Sequence, residues 1–239
     1  MSTKTKILIY GDPHGNFEPL FEAVETASPT AVIILGDFGL QAPLEQVLAP
    51  ILNKTDIWFI HGNHDTDRDN DYHFLFNSQL ADRNIGGKVI TINGARIAGL
   101  GGVFREKIWH PNFNDGKPTW RSRSEYMHAQ PKSMQRQAEK YAGLHRQHHS
   151  SIWHEDYVKL ASQHADILIS HEAPSCFKHG FEEIEELALS MGVMSIYHGH
   201  HHQSYNEIME LGKYDILVNG VGLAEVKAFT VRHRTDSTK

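Results

Sequence analysis

Cysteine occurs once in these 239 residues, at Cys176. A lone thiol excludes an internal disulfide and fits a reducing compartment, and a partly buried, inert side chain is expected there. No apolar run approaches the roughly 18 residues of a membrane span. The start, Met1-Ser2-Thr3-Lys4-Thr5-Lys6, leads into a strand-length apolar run rather than a signal-peptide hydrophobic region, so a cytoplasmic chain with no membrane partner is expected. Basic charge is not in excess either: a net charge of −6 speaks against a general nucleic-acid binder. Internal repeats and low-complexity segments are missing, and nothing calls for an obligatory protein partner. What remains is 40% apolar and 22% charged residues, ordinary for a globular chain, and one domain over 1–239 is expected.

What is present alternates. Lys6 to Tyr10 reads as a strand and stops at Gly11-Asp12-Pro13-His14-Gly15-Asn16. Phe17, Leu20, Phe21 and Val24 then recur at helical spacing. Ala31 to Leu35 is apolar throughout, as a strand covered on both faces would be, and ends in Gly36-Asp37-Phe38-Gly39. Pro43 to Leu52 reads as a helix and Ile57 to Ile60 as a third strand, ending in His61-Gly62-Asn63-His64-Asp65. After a polar stretch, Lys88–Asn93 and Arg96–Leu100 are two strands joined by the Asn93-Gly94 turn. Ser151 to Gln163 reads as a helix and Asp166 to Ser170 as a strand ending in His171-Glu172-Ala173-Pro174. Phe181 to Met191 is a charged amphipathic helix, and the segments 207–210, 215–218 and 226–231 are expected to complete a second sheet. Strands alternating with short helices imply βαβ units and a mostly parallel sheet, whose sites lie at the carboxyl ends of the strands.

One strand end dominates. The run Val193 to Tyr197 is followed by His198-Gly199-His200-His201-His202, four imidazoles within five residues. A solvated His-rich loop is the plain explanation, but four other strand ends carry matching chemistry. Together they offer Asp12 and His14, Asp37, Asn63 and His64, His171, and His200 and His202. Carboxylate and amide oxygens mixed with imidazoles suit two divalent ions, Mn, Fe or Zn far better than a thiolate-selected metal. One carboxylate can bridge two ions roughly 3.5–4 Å apart. Such a pair lowers the pKa of a bridging water, neutralises phosphoryl oxygens and holds phosphorus in line with the attacking oxygen, which suits phosphoester hydrolysis.

Asp-x-His, Gly-Asp, Gly-Asn-His-Asp, a lone strand-end His and Gly-His-x-His occur here in the order seen in calcineurin-like metallophosphoesterases, which the chain resembles over about 6–102 and 166–204. The resemblance implies an α/β fold, a four-layer α/β/β/α sandwich of two mixed sheets flanked by helices, with two metals, Mn foremost and Fe, Zn or Ni as alternatives. By motif, Asp12, His14 and His202 would bind the first metal, Asp37 would bridge, and Asn63, His171 and His200 would bind the second. His64 looks like the family's catalytic histidine, with Asp65 expected to hold its orientation. Asn63 as a mere turn residue and Asp65 as a mere helix cap are the competing readings. His198 and His201 fall outside the ligand spacing, and His61 reads as structural.

The chain lacks the Asp-Arg-Gly that protein serine/threonine phosphatases of this superfamily carry after Gly-Asp, which argues against a phosphoprotein substrate. The run Arg96 to Arg105 is similar to a segment of RNA lariat debranching enzymes and of bacterial phosphoesterases. Arg105 could clamp a phosphate there or form a surface salt bridge. Residues 105–149 hold nine Lys or Arg against four Asp or Glu, a net of +5 that leaves −11 on the rest. Trp109, Phe113, Trp120, Tyr126 and Tyr141 are interleaved with that charge. An insertion facing an anionic substrate and a solvated helical excursion both fit. The expected activity is hydrolysis of a phosphoester, with a nucleotide or nucleic-acid diester preferred as substrate. A phosphomonoesterase or nucleotide pyrophosphatase is the alternative enzyme, and a scaffold with vestigial metal sites the alternative of another class.

Overall fold

A computed structural model describes residues 5–231. The first sheet holds β1 (Thr5–Tyr10), β2 (Ala31–Ile34), β3 (Asp56–Phe59) and β10 (Val226–Val231) in the order β10-β1-β2-β3. The second holds β4 (Lys88–Ile92), β5 (Ala95–Leu100), β6 (Ile167–Ser170), β7 (Ser195–His198), β8 (Tyr205–Leu211) and β9 (Tyr214–Gly220) in the order β4-β5-β6-β7-β9-β8. Three apolar layers alternate with the sheets. Leu8, Val32, Ile34 and Phe59 pack against α1 (Glu18–Ala27), α2 (Leu44–Val47) and α3 (Asp69–Phe76). Ile7, Ile9, Ile33, Ile97, Ile167, Ile169 and Tyr197 fill the space between the sheets. Leu100, Leu168, Ile196 and Val218 pack against α6 (His154–Ala161), α7 (Glu182–Met191) and the insertion. The result is the expected four-layer sandwich, with strands such as Ala31–Ile34 buried on both faces.

Three local expectations change. The tail splits: β8 and β9 complete the second sheet, but β10 crosses to the first and pairs antiparallel with β1, from Thr5↔Val231 to Tyr10↔Val226. The helix read over 43–52 stops at Val47, because Pro50 lacks an N–H and disfavours helical backbone at Ala49. The polar stretch after the third strand contains α3, held by Arg68, whose backbone and guanidinium both donate to Asp71. By contrast the Asn93-Gly94 turn is as read: Ile92 pairs with Ala95, and both turn residues have positive φ, 46° and 87°. Among the described residues no helix is long and apolar enough to cross a membrane.

Residues 105–149 carry α4 (Arg123–Ala129) and α5 (Lys132–Ala138). Most of their aromatic surface is internal. Trp109 and Tyr126 join Phe104, Ile108, Leu144 and Trp153 in the outer core, while Phe113 stays exposed. Several cations are also committed: Arg123 pairs with Glu155 (2.7 Å) and Asp156 (2.5 Å), and Lys140 and Arg146 both pair with Asp69 of α3. The insertion is therefore a packed extension of the body.

Candidate metal centre and active site

The parallel strands bring their carboxyl ends to one place. Asp12 and His14 follow β1, Asp37 follows β2, Asn63 and His64 follow β3, His171 follows β6, and His200 and His202 follow β7. Five of these have left-handed backbone: Asp12 (φ 26°), His14 (42°), Asp37 (53°), His200 (68°) and His202 (55°). Non-glycine residues are held there at a cost of order 1–3 kcal/mol each, and such strain gathers at functional sites. Glycine makes room between them. A Cβ on Gly62 would lie 2.2 Å from Asp37 Oδ1 and 2.5 Å from His171 Cε1, and one on Gly199 would lie 2.7 Å from Asp12 Oδ1.

The ligand-capable atoms form two groups that share a carboxylate. His14, Asp37 and His202 offer atoms within 4.8 Å of one another, and so do Asp37, His171 and His200. Asp37 Oδ2 lies 3.8 Å from His14 Nε2 and 3.4 Å from His171 Nε2. Its Oδ1 accepts the backbone N–H of His64 at 2.8 Å, so one carboxylate faces both groups. Asn63 Oδ1 sits 3.1 Å from His171 Nε2, and Asp12 lies 3.7 Å from His171 Nδ1 and 4.0 Å from His202 Nε2. All seven expected ligands thus converge.

Asp12 tests whether cations fit. Both of its carboxylate oxygens are buried without a hydrogen-bond partner among the described residues, and burial pushes its pKa up to about 7. A carboxylate in that position needs a positive charge beside it. His171 answers the same demand: burial would lower its pKa, but Asp37 and Asp12 together push it up to about 10. His171 Nδ1 donates to the carbonyl of Leu35 at 2.7 Å, which leaves Nε2 toward Asn63 and Asp37. Burial and the neighbouring His171 take His200 down to about 3, so its imidazole is neutral and ligand-ready. Two divalent cations fit these residues.

His64 stands half out of the site with its ring 5.7 Å from that of His14. The carboxylate that holds it is not the expected one. Asp67 Oδ2 lies 2.6 Å from His64 Nδ1, whereas Asp65 turns inward and accepts the N–H groups of Asp37 (3.0 Å), Phe38 (2.8 Å) and Gly62 (2.8 Å). A buried carboxylate is better satisfied by three backbone donors than by one ring, so Asp65 locks the Asp37 and Gly62 loops together. Burial pulls the His64 pKa down, but the Asp67 hydrogen bond and the charge of Asp37 outweigh it and hold the ring above its ordinary value.

Arg105 arrives from the end of β5. Its guanidinium donates to Ser150 Oγ at 3.2 Å, and Ser150 Oγ lies 2.6 Å from Thr66 Oγ1. The Arg105 charge acts on Asp67, Glu172 and Asp37, and its buried Nε has no partner among the described residues. Among those residues Arg105 forms no ion pair, so the surface salt bridge is not what it makes. Glu172 is a further buried acid beside the site. It accepts the Phe104 N–H at 3.1 Å, lies 4.0 Å from His200 Nε2, and forms a third ligand-capable group with His200 and His201. Its place next to the strand-end His171 was the only signal in the sequence. His198 lies outside both groups, buried with Nε2 2.7 Å from the Tyr205 hydroxyl. His61 is structural, packed under Gly101 and hydrogen-bonded to Asn84. Burial raises the Cys176 pKa, as for an inert thiol.

The family model described as calcineurin-like phosphoesterase matches residues 5–204. An uncharacterised protein of Haemophilus influenzae is 38% identical over 218 residues, which is 90% of each chain. Among solved structures, a Thermus thermophilus protein superposes with TM-score 0.54 at 14% identity, covering 96% of this chain and 99% of that one. The phosphopantetheinyl hydrolase of Mycobacterium tuberculosis superposes with TM-score 0.50 at 12% identity, covering 100% and 99%. At such identities these two are likenesses of fold alone.

Proposed function

Because the chain belongs to the calcineurin-like phosphoesterase family, and is as such a metal-dependent hydrolase of phosphoester bonds, we propose that its substrate is a phosphodiester, of a nucleotide or a nucleic acid. One observation carries the choice. Arg105 lies between the acidic ligand cluster and the packed, net-positive insertion that begins at the same residue. A diester has a substituent on both sides of phosphorus and needs a surface for the second, whereas a monoester does not. The insertion supplies that surface next to the arginine. The complete ligand set, with His64 present, speaks against the scaffold reading.

Asp12, His14, Asp37 and His202 would hold one cation, and Asp37, Asn63, His171 and His200 the other; Mn is proposed from the mixed oxygen and imidazole donors, with Fe, Zn or Ni as alternatives. When bound, such ions supply Lewis acidity to the phosphoryl oxygens and to water. The chain's own residues do the rest. Arg105 binds and orients a phosphoryl oxygen through the guanidinium that Ser150 fixes. His64, its Nδ1 held by Asp67, carries the proton that its Nε2 delivers to the departing alkoxide oxygen. Asp65 keeps the Asp37 loop in its strained conformation.

The test is turnover of bis-p-nitrophenyl phosphate beside p-nitrophenyl phosphate, with metal-stripped protein titrated with Mn²⁺, then Ni²⁺, Zn²⁺ and Fe²⁺. Metal-restored cleavage of the diester is expected. Restored activity on the monoester alone would overturn the diester reading.

A further inference from the structure

A cavity of about 270 Å³ opens within the insertion, apart from the ligand cluster. Its lining includes Trp120, Tyr126, His145, His148, Lys107 and Gln147. The rings are set at angles rather than stacked shut: Tyr126 meets Trp120 edge to face at 5.8 Å and 78°, and meets His148 at 5.0 Å and 77°. His145 adds a polar atom without a use, since its Nδ1 is buried with no hydrogen-bond partner among the described residues. Buried polar atoms are normally paired, so the unpartnered Nδ1 leaves hydrogen-bonding capacity unused in a ring that borders the cavity.

Two of the cavity's lining residues are near neighbours in the chain of Arg105 and Ser150. Lys107 is two residues from Arg105 and His148 two residues from Ser150, and Arg105 and Ser150 are hydrogen-bonded to each other. Two residues of chain span at most about 7 Å, within reach of a nucleotide's base from its own phosphate. The walls are also fixed in place: Asp69 of α3 accepts the Tyr141 hydroxyl at 2.7 Å and pairs with Lys140 and Arg146, tying the insertion to the body.

We propose that this cavity is a nucleobase pocket, in which Trp120 and Tyr126 pack against the flat base, His145 meets its hydrogen-bonding edge and Lys107 faces the anionic backbone, while the adjacent phosphate sits at Arg105. A flat ring with polar edges, joined to an anion, is the ligand class that aromatic faces, an orphan imidazole nitrogen and a lysine recognise together. The pocket rests on the diester reading for its catalytic meaning, but its occupancy can be measured without turnover.

Calorimetric titration of Mn²⁺-loaded protein with adenosine and cytidine 5′-monophosphate, beside ribose 5-phosphate, isolates the base. At least one nucleotide is expected to bind about 5- to 150-fold tighter than ribose 5-phosphate, the range that stacking carries per base. Trp120→Ala should bring that ratio close to one. Gln147→Trp, which adds bulk from an exposed rim position, should do the same where loss of the half-buried tryptophan upsets folding. Nucleotides that bind no tighter than ribose 5-phosphate, or an advantage that survives both variants, would overturn the pocket. Diester turnover with no base advantage would remove the pocket alone; a base advantage with turnover of the monoester only would remove the diester reading alone.

Discussion

The role expected of Asp65, one residue from His64, falls to Asp67, three residues from it. Asp67 holds the ring and Asp65 holds the backbone. The two can be separated. Asp67→Asn should leave metal content unchanged while kcat falls about 10- to 100-fold, as outer-shell partners do. His64→Ala should keep the metals and lose about 10²–10⁴-fold. Asp65→Ala leaves three buried N–H groups without an acceptor, about 1–3 kcal/mol each, so thermal stability and metal occupancy should fall together. Metal analysis and thermal melts of the three variants check the assignment; equal occupancy in Asp65→Ala and wild type would contradict it. At this scale the convergence of seven ligand-capable residues was legible, because few residue types can hold divalent ions and all stand at strand ends. Asp67 and Glu172 were not, since their roles depend on which way a side chain turns, which spacing does not show.

Loops between strands and helices, rather than the elements themselves, shape the site. Gly62 shows how little room they leave: Gly62→Ala would place a methyl 2.2 Å from Asp37 Oδ1 and 2.5 Å from His171. Reduced metal content at equal protein concentration is expected, and full occupancy would show that the loop can give way. Strands β1 to β7 were readable because apolar runs of four to six residues end at glycine or aspartate-rich turns. The length of α2 and the existence of α3 were not. A proline three residues past its last apolar position ended the first, and a helix as polar as Asp69–Phe76 has no strong periodic signal. The partner of β10 was hidden for another reason: an antiparallel edge strand carries no mark of which sheet it joins. The insertion's charge and aromatic content were visible, but not that most of its rings are turned inward and several of its cations are paired.

The whole molecule couples stability to protons and to metal. Burial lowers His148 to about 4 and His61 to about 3, below the ordinary value near 6.5. The unfolded chain therefore binds protons that the folded chain refuses, and stability present above about pH 6.5 is lost as pH falls toward 4. His148→Gln should flatten the fall of Tm over that window; an unchanged slope would mean that His148 is protonated in the fold. Bound cations act the other way. At 100 times Kd a metal adds about 2.7 kcal/mol, on the order of 5–10 °C in Tm for a chain of this size, which chelation should remove.

The proposed chemistry requires two cations that share Asp37, and the direct measurement is the number of Mn²⁺ ions bound per chain, by equilibrium dialysis and elemental analysis, for wild type and Asp37→Asn. Because the shared carboxylate faces both ligand groups, the predicted result is about two ions per wild-type chain and the loss of both in the variant. One ion per wild-type chain, or two that survive Asp37→Asn, would contradict the shared site.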